Sequence, residues 1–150
     1  MKPLFVLLLS FTISIVLIKI INKEYNFNLS ARIAMTIMLV FTAVGHFVFT
    51  KGMSMMIPKI IPFKEFFVYL TGVFEILLAI GLVIPKLKTI SGWTLIFMLL
   101  LILPANIYAA LNNVNYLKGT FDGNGLVYLW FRIPLQILFI IWSYISAIRT

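Results

Sequence analysis

Long apolar runs alternate with short polar breaks along the whole chain. The runs extend from Pro3 to Ile21, Ala31 to Phe49, Phe66 to Ile84, Gly92 to Leu111 and Gly125 to Ile148. Each is close to the roughly 20 residues that a helix needs to cross about 30 Å of hydrocarbon. The breaks read NKEYNFNLS, TKGMSMMIPKIIPFKE, PKLKTIS and NNVNYLKGTFDGN, all rich in turn-forming or charged residues. This pattern predicts an all-α, polytopic membrane helical bundle of five spans. Asn28 or Ser30 is placed to cap the second helix, and the glycines around Asp122 end the last loop before the fifth.

Two stretches need separate decisions. The first run, MKPLFVLLLSFTISIVLIKI, opens like a secretory signal, but no pair of small residues in an A-x-A-like pattern follows between Ile18 and Asn26. It is expected to remain as a membrane helix. In Met53 to Lys64, MSMMIPKIIPFK, two prolines oppose a continuous helix while the methionines, isoleucines and Phe63 avoid water. That segment is expected in the membrane interface with Lys59 and Lys64 snorkelling, or folded over the bundle as a lid.

Composition fixes the solvent. The chain is 63% hydrophobic and 11% charged, which a soluble domain of 150 residues could not hide in one core. The formal charge of +8 comes from lysines and arginines standing singly between apolar runs, where they meet lipid headgroups, so no nucleic-acid partner is expected. Cysteine is absent, which excludes disulfide and thiolate chemistry by the chain itself. Lys19, Lys23, Arg32, Lys86, Lys88 and Arg149 share one membrane side with Glu24. The positive-inside rule turns that side to the cytoplasm and the N-terminus outside.

Function is sought among polar residues at membrane depth, where they are costly and face protein or trapped water. His46, Glu75, Asn106, Arg132 and Gln136 fall within spans two to five. Measured along the helices from the side bearing Met53 to Lys64, His46 lies roughly 5 Å deep, Asn106 and Arg132 roughly 8 to 11 Å, and Glu75 and Gln136 roughly 14 to 17 Å. Four helices thus supply one polar layer, with Thr71, Tyr108 and Tyr128 as secondary members. Thr71 and Glu75 share a helix face, as do Arg132 and Gln136. Pro104 and Pro134 free the carbonyls of Leu100 and Trp130, natural partners for a nearby amide or guanidinium. Each residue also has a plainer reading. Glu75 and Arg132 form either a structural ion pair or the floor of a site. Asn106 is an interhelical hydrogen-bond former, read as the bridge between those two charges, or a ligand contact. His46 is a satisfied interfacial histidine or a ligand. No metal is expected, since one histidine has no other soft ligand beside it. The tryptophans fit interfacial belts.

The order GHFVF, IPKIIPF, TGVFEILLAIGLVIP, LPANIYAAL and RIPLQILFIIW resembles the DoxX-like membrane proteins over Ala31 to about Trp142. The resemblance implies a four-helix core over residues 31–150, with residues 1–30 adding an N-terminal transmembrane helix and short loop. It also implies a prokaryotic cytoplasmic membrane and a broad family whose members include a subunit of a thiosulfate:quinone oxidoreductase. The expected function is a binding subunit of a membrane redox system, in which a quinone-like or lipid-like amphiphile meets the polar layer and a partner supplies electrons. A non-catalytic assembly or scaffolding protein and a proton-coupled transporter are the alternatives. A redox or assembly protein partner and a homo-oligomer both fit. No nucleophile with a base and no cofactor motif marks a self-contained enzyme.

Overall fold

The computed structural model describes residues 2–149. Five long helices run antiparallel in sequence order: α1 Lys2–Asn22, α2 Phe27–Val48, α4 Lys64–Val83, α5 Lys88–Leu111 and α6 Leu126–Ser143, with a short α3 Thr50–Ser54 between α2 and α4. All five are long and apolar enough to span a membrane, α6 together with the π-turn Tyr144–Ile148 that continues it. Only 22% to 39% of each span is buried by the rest of the chain, so most of its apolar side chains face outward, toward lipid. The protein is a multi-pass, all-α membrane bundle.

The helix boundaries follow from local chemistry. Asn26 caps α2, its side chain accepting from the Leu29 amide at 3.0 Å, rather than Asn28 or Ser30. The Ser30 hydroxyl instead donates to the Asn26 carbonyl at 2.8 Å. The helix therefore starts a few residues before the apolar run, because Asn26 is the residue whose backbone leaves the helical region there. Phe63 takes a left-handed helical conformation with φ +51° before α4, and Gly125 has a positive φ of +57° with extended ψ before α6. Pro104 and Pro134 are accommodated inside α5 and α6.

The core runs down the middle of the bundle, where Leu7 of α1 joins Ala34, Met35 and Leu39 of α2, Leu78 and Leu82 of α4, Leu95 of α5 and Phe139 of α6. α1 packs on α2, and its Phe11 ring meets Trp142 edge-on with centroids 5.0 Å apart. α2 lies most extensively against α4, where the Thr36 hydroxyl reaches the Ala79 carbonyl at 3.0 Å. The Trp142 indole N–H donates to the Ala31 carbonyl at 3.0 Å, joining the end of α6 to the start of α2.

The Met53 to Lys64 segment divides. Met53, Met55, Met56 and Ile57 are half-buried against the bundle, while Ile60 and Phe63 are 89% and 81% exposed. Lys64 ties the fold-back by donating to the Ile57 carbonyl at 2.9 Å. On the same side, residues 113–125 form a compact turn closed by an Asn115 to Thr120 bridge. There Gly52 packs so closely on the Tyr116 backbone that a Cβ would have no room.

Candidate functional site

α2 and α4 come close enough to bring His46 and Glu75 together because Gly72, one turn before Glu75, has no side chain. A Cβ there would sit 2.9 Å from His46 Cβ and 3.2 Å from the Phe47 ring. With that space open, His46 Nε2 lies 3.4 Å from Glu75 Oε1, the two side chains being 16% and 8% exposed. Thr50, at the start of α3, donates to the His46 carbonyl at 2.7 Å and ties the end of α2 down. Thr42, one turn before His46, sits beside the Glu75 carboxylate. Its hydroxyl donates back into its own helix, to the Leu39 carbonyl at 2.9 Å and the Met38 carbonyl at 3.2 Å.

The expected Glu75–Arg132 ion pair does not form. Among the described residues the carboxylate's partner within 4.0 Å is His46, and Arg132 acts on Glu75 only through the longer-range field. The physical reason is the Gly72 contact, which draws α2 onto α4 and gives Glu75 a partner on the adjacent helix before α6 is reached. Asn106 is not the bridge between the two charges either. It is 1% exposed, and its Oδ1 accepts from the Tyr128 hydroxyl at 3.3 Å, pairing α5 with α6. Arg132, one turn after Tyr128 on α6, has its Nε buried without a partner.

The remaining expected members are held elsewhere. Gln136 donates to the Leu99 carbonyl across the α5–α6 contact, one residue from the Leu100 carbonyl that Pro104 frees. Thr71 donates to the Phe67 carbonyl of its own helix, where its short side chain reaches the preceding turn more easily than a neighbouring helix. Tyr108 is half-buried and contributes its backbone carbonyl, which accepts from the Asn112 amide side chain at 2.8 Å. The freed carbonyls therefore do not serve Asn106 and Arg132 as expected. Asn106 Nδ2, Arg132 Nε, His46 Nδ1 and Glu75 Oε2 are each buried without a hydrogen-bond partner.

Two participants went unmarked in the sequence reading. Thr42 had a legible signal, lying four residues before His46 on the same face. Arg32 was counted only as a surface charge, yet its Nε and Nη1 are buried.

Two open cavities lie beside the polar layer. One of about 320 Å³ opens at the end of α2, walled by Phe47, Tyr69 and Tyr116 and edged by Lys51 and Lys118. It adjoins His46 through Phe47 and Thr50. A second, of about 380 Å³, is an apolar groove on α6 between Leu126, Trp130 and Pro134. The polar layer itself is a set of partly matched groups on four helices, able to donate from imidazole, amide and guanidinium and to accept at one carboxylate oxygen.

A family model described as a domain of unknown function (DUF8561) matches residues 35–147. No curated protein and no solved structure matches the chain.

Proposed function

We propose that this chain, which belongs to the DUF8561 family, is a membrane subunit whose intramembrane polar layer binds the polar head of an amphiphile such as a quinone. The observation that carries this reading is the set of unmatched buried atoms. Asn106 Nδ2, Arg132 Nε, His46 Nδ1 and Glu75 Oε2 come from four different helices, and each is buried without a partner. Leaving such a group unmatched costs about 1 to 3 kcal/mol, so the two unmatched donors among them, Asn106 Nδ2 and Arg132 Nε, favour a molecule that brings acceptors to them. The carbonyl oxygens of a quinone head are such acceptors, and its isoprenoid tail suits the apolar groove on α6. The aromatic-walled cavity beside Phe47 and Thr50 gives the head a way in from the interface.

The resemblance of the motif order to that of DoxX-like proteins is what suggests a site in a membrane redox system, with electrons supplied by a partner protein in a prokaryotic cytoplasmic membrane and the N-terminus outside. Arg132 and Asn106 are the donors assigned to the ligand, Tyr128 the hydroxyl that orients the Asn106 amide, and the Glu75 carboxylate the group that holds the His46 imidazole in place. A scaffolding role is the second reading, favoured by the position of both cavities outside the polar layer.

The test is mass spectrometry of amphiphiles retained after mild purification. Unmodified protein should carry a quinone or a single lipid class well above its proportion in the membrane extract, and Arg132→Leu should lose it. Retention of bulk lipid in bulk proportions by both proteins would remove this reading and leave the scaffold.

A further inference from the structure

At the opposite end of the bundle from the aromatic-walled cavity, Arg32 presents a separate problem. It stands about one and a half turns into α2, at the depth where headgroups give way to acyl chains. Its Nε and Nη1 are buried without a hydrogen-bond partner, and no carboxylate lies within 4.0 Å of it among the described residues. Thr36, one turn further along the same face, contacts Ala79 of α4, which places Arg32 near the C-terminal end of α4. Ala31, its neighbour, is held by the Trp142 indole, and Ser143 beside that indole is fully buried with its hydroxyl unpartnered.

The chain cannot supply the missing anion from its own acidic side chains. It has four: Glu65 and Asp122 lie at the far side of the membrane, Glu75 is paired with His46, and Glu24 is exposed in the α1–α2 turn. Around Arg32 the membrane face carries Lys19, Lys23, Lys86 and Arg149, all exposed, so the local field attracts anions. A guanidinium offers a planar fork of donors that matches the oxygens of a phosphate.

We infer that Arg32 is the anchor of a phosphate-binding site at this membrane face, occupied by the headgroup phosphate of an anionic phospholipid. The lipid lies against the start of α2 and the ends of α4 and α6, with its phosphate on Arg32 and the basic rim selecting net negative charge. The site is distinct from the polar layer and stands whether or not that layer binds a quinone.

The experiment compares unfolding temperature and lipid retention of the full chain in nanodiscs of phosphatidylcholine alone and of phosphatidylcholine with phosphatidylglycerol. Unmodified protein should be stabilised by phosphatidylglycerol and retain it over phosphatidylcholine. Arg32→Gln should reduce that preference about tenfold, as loss of a charge-assisted contact implies, and should be at least as stable as the unmodified protein in the neutral lipid. Arg32→Lys should keep part of the preference, having the charge without the fork, and Lys23→Gln should keep most of it. Inorganic phosphate titrated at constant ionic strength separates the sources. No effect is expected; full stabilisation by phosphate in neutral nanodiscs would make a soluble anion the occupant and overturn the lipid assignment. Equal phosphatidylglycerol dependence in unmodified protein and Arg32→Gln would overturn the site altogether, leaving Arg32 held by the C-terminal carbonyl dipoles of α4.

Discussion

Replacing His46 and Glu75 by leucine, singly and together, probes the contact on which the polar layer is built. At 3.4 Å two full charges would attract by about 5 kcal/mol at an effective dielectric of 20, before desolvation is subtracted. A neutral imidazole donating to the carboxylate is worth about 1.5 to 3 kcal/mol when well aligned, and the observed separation places this contact toward the lower end. His46→Leu should cost about 1 to 3 kcal/mol for the unmatched carboxylate, rising to about 3 to 5 if that group stays ionised. Glu75→Leu should cost less, because it strands a neutral imidazole N–H rather than a carboxylate. Since the double variant leaves neither group stranded, the cycle should show a coupling above about 1 kcal/mol, beyond the roughly 0.6 average of intramembrane hydrogen bonds. The parallel cycle on Glu75 and Arg132 should stay below about 0.5 kcal/mol, since the two do not touch. Thermal and denaturant unfolding in one detergent would supply the numbers. Additive losses for His46 and Glu75, or a larger coupling for Glu75 and Arg132, would refute the arrangement described.

Gly72→Ala should destabilise by about 1 to 3 kcal/mol and weaken the His46–Glu75 coupling, since the new methyl would press on His46 Cβ; an unchanged unfolding temperature would contradict the close approach. Single cysteines at Met55 and Ile57 should react slowly with a membrane-impermeant thiol reagent and cysteines at Ile60 and Asn124 quickly, whereas uniform rates would show an unpacked loop. The Thr120 hydroxyl, with the Asn115 amide and the Lys118 ammonium, holds the exposed Asp122 carboxyl below its usual range. Such a group favours the ordered turn above its unfolded value, about 3.9, and the benefit fades as pH falls through the lower folded value. Amide exchange at Asn115 and Thr120, corrected for intrinsic rates, should therefore rise on acidification below about pH 4, and Asp122→Ala should abolish that dependence.

The spans were legible because one physical signal, about 20 apolar residues between polar breaks, determines them without tertiary information. The helix starts were less so: choosing Asn26 over Asn28 or Ser30 depends on which residue leaves the helical backbone. The membership of the polar layer was readable from depth, since residues at similar distance along antiparallel helices must lie at similar height. Its pairing was not. Depth says nothing of which neighbour a side chain faces, and that was set by Gly72 admitting α2 against α4, by Tyr128 reaching Asn106, and by Gln136 finding the Leu99 carbonyl. Arg32 is half-buried with Nε and Nη1 shielded, a detail that depends on the neighbouring helices and not on its own sequence position.

Equilibrium binding of a short-chain quinone to the protein in nanodiscs, against empty nanodiscs, tests the central claim most directly. Saturable binding is predicted for the unmodified protein. It should be reduced about tenfold or more by Arg132→Leu or Asn106→Leu, which remove donors, and little changed by Gln136→Leu, whose amide is committed to Leu99. Non-saturable partitioning equal to that of empty nanodiscs, or saturable binding indifferent to all three substitutions, would contradict the assignment of the polar layer as the ligand site.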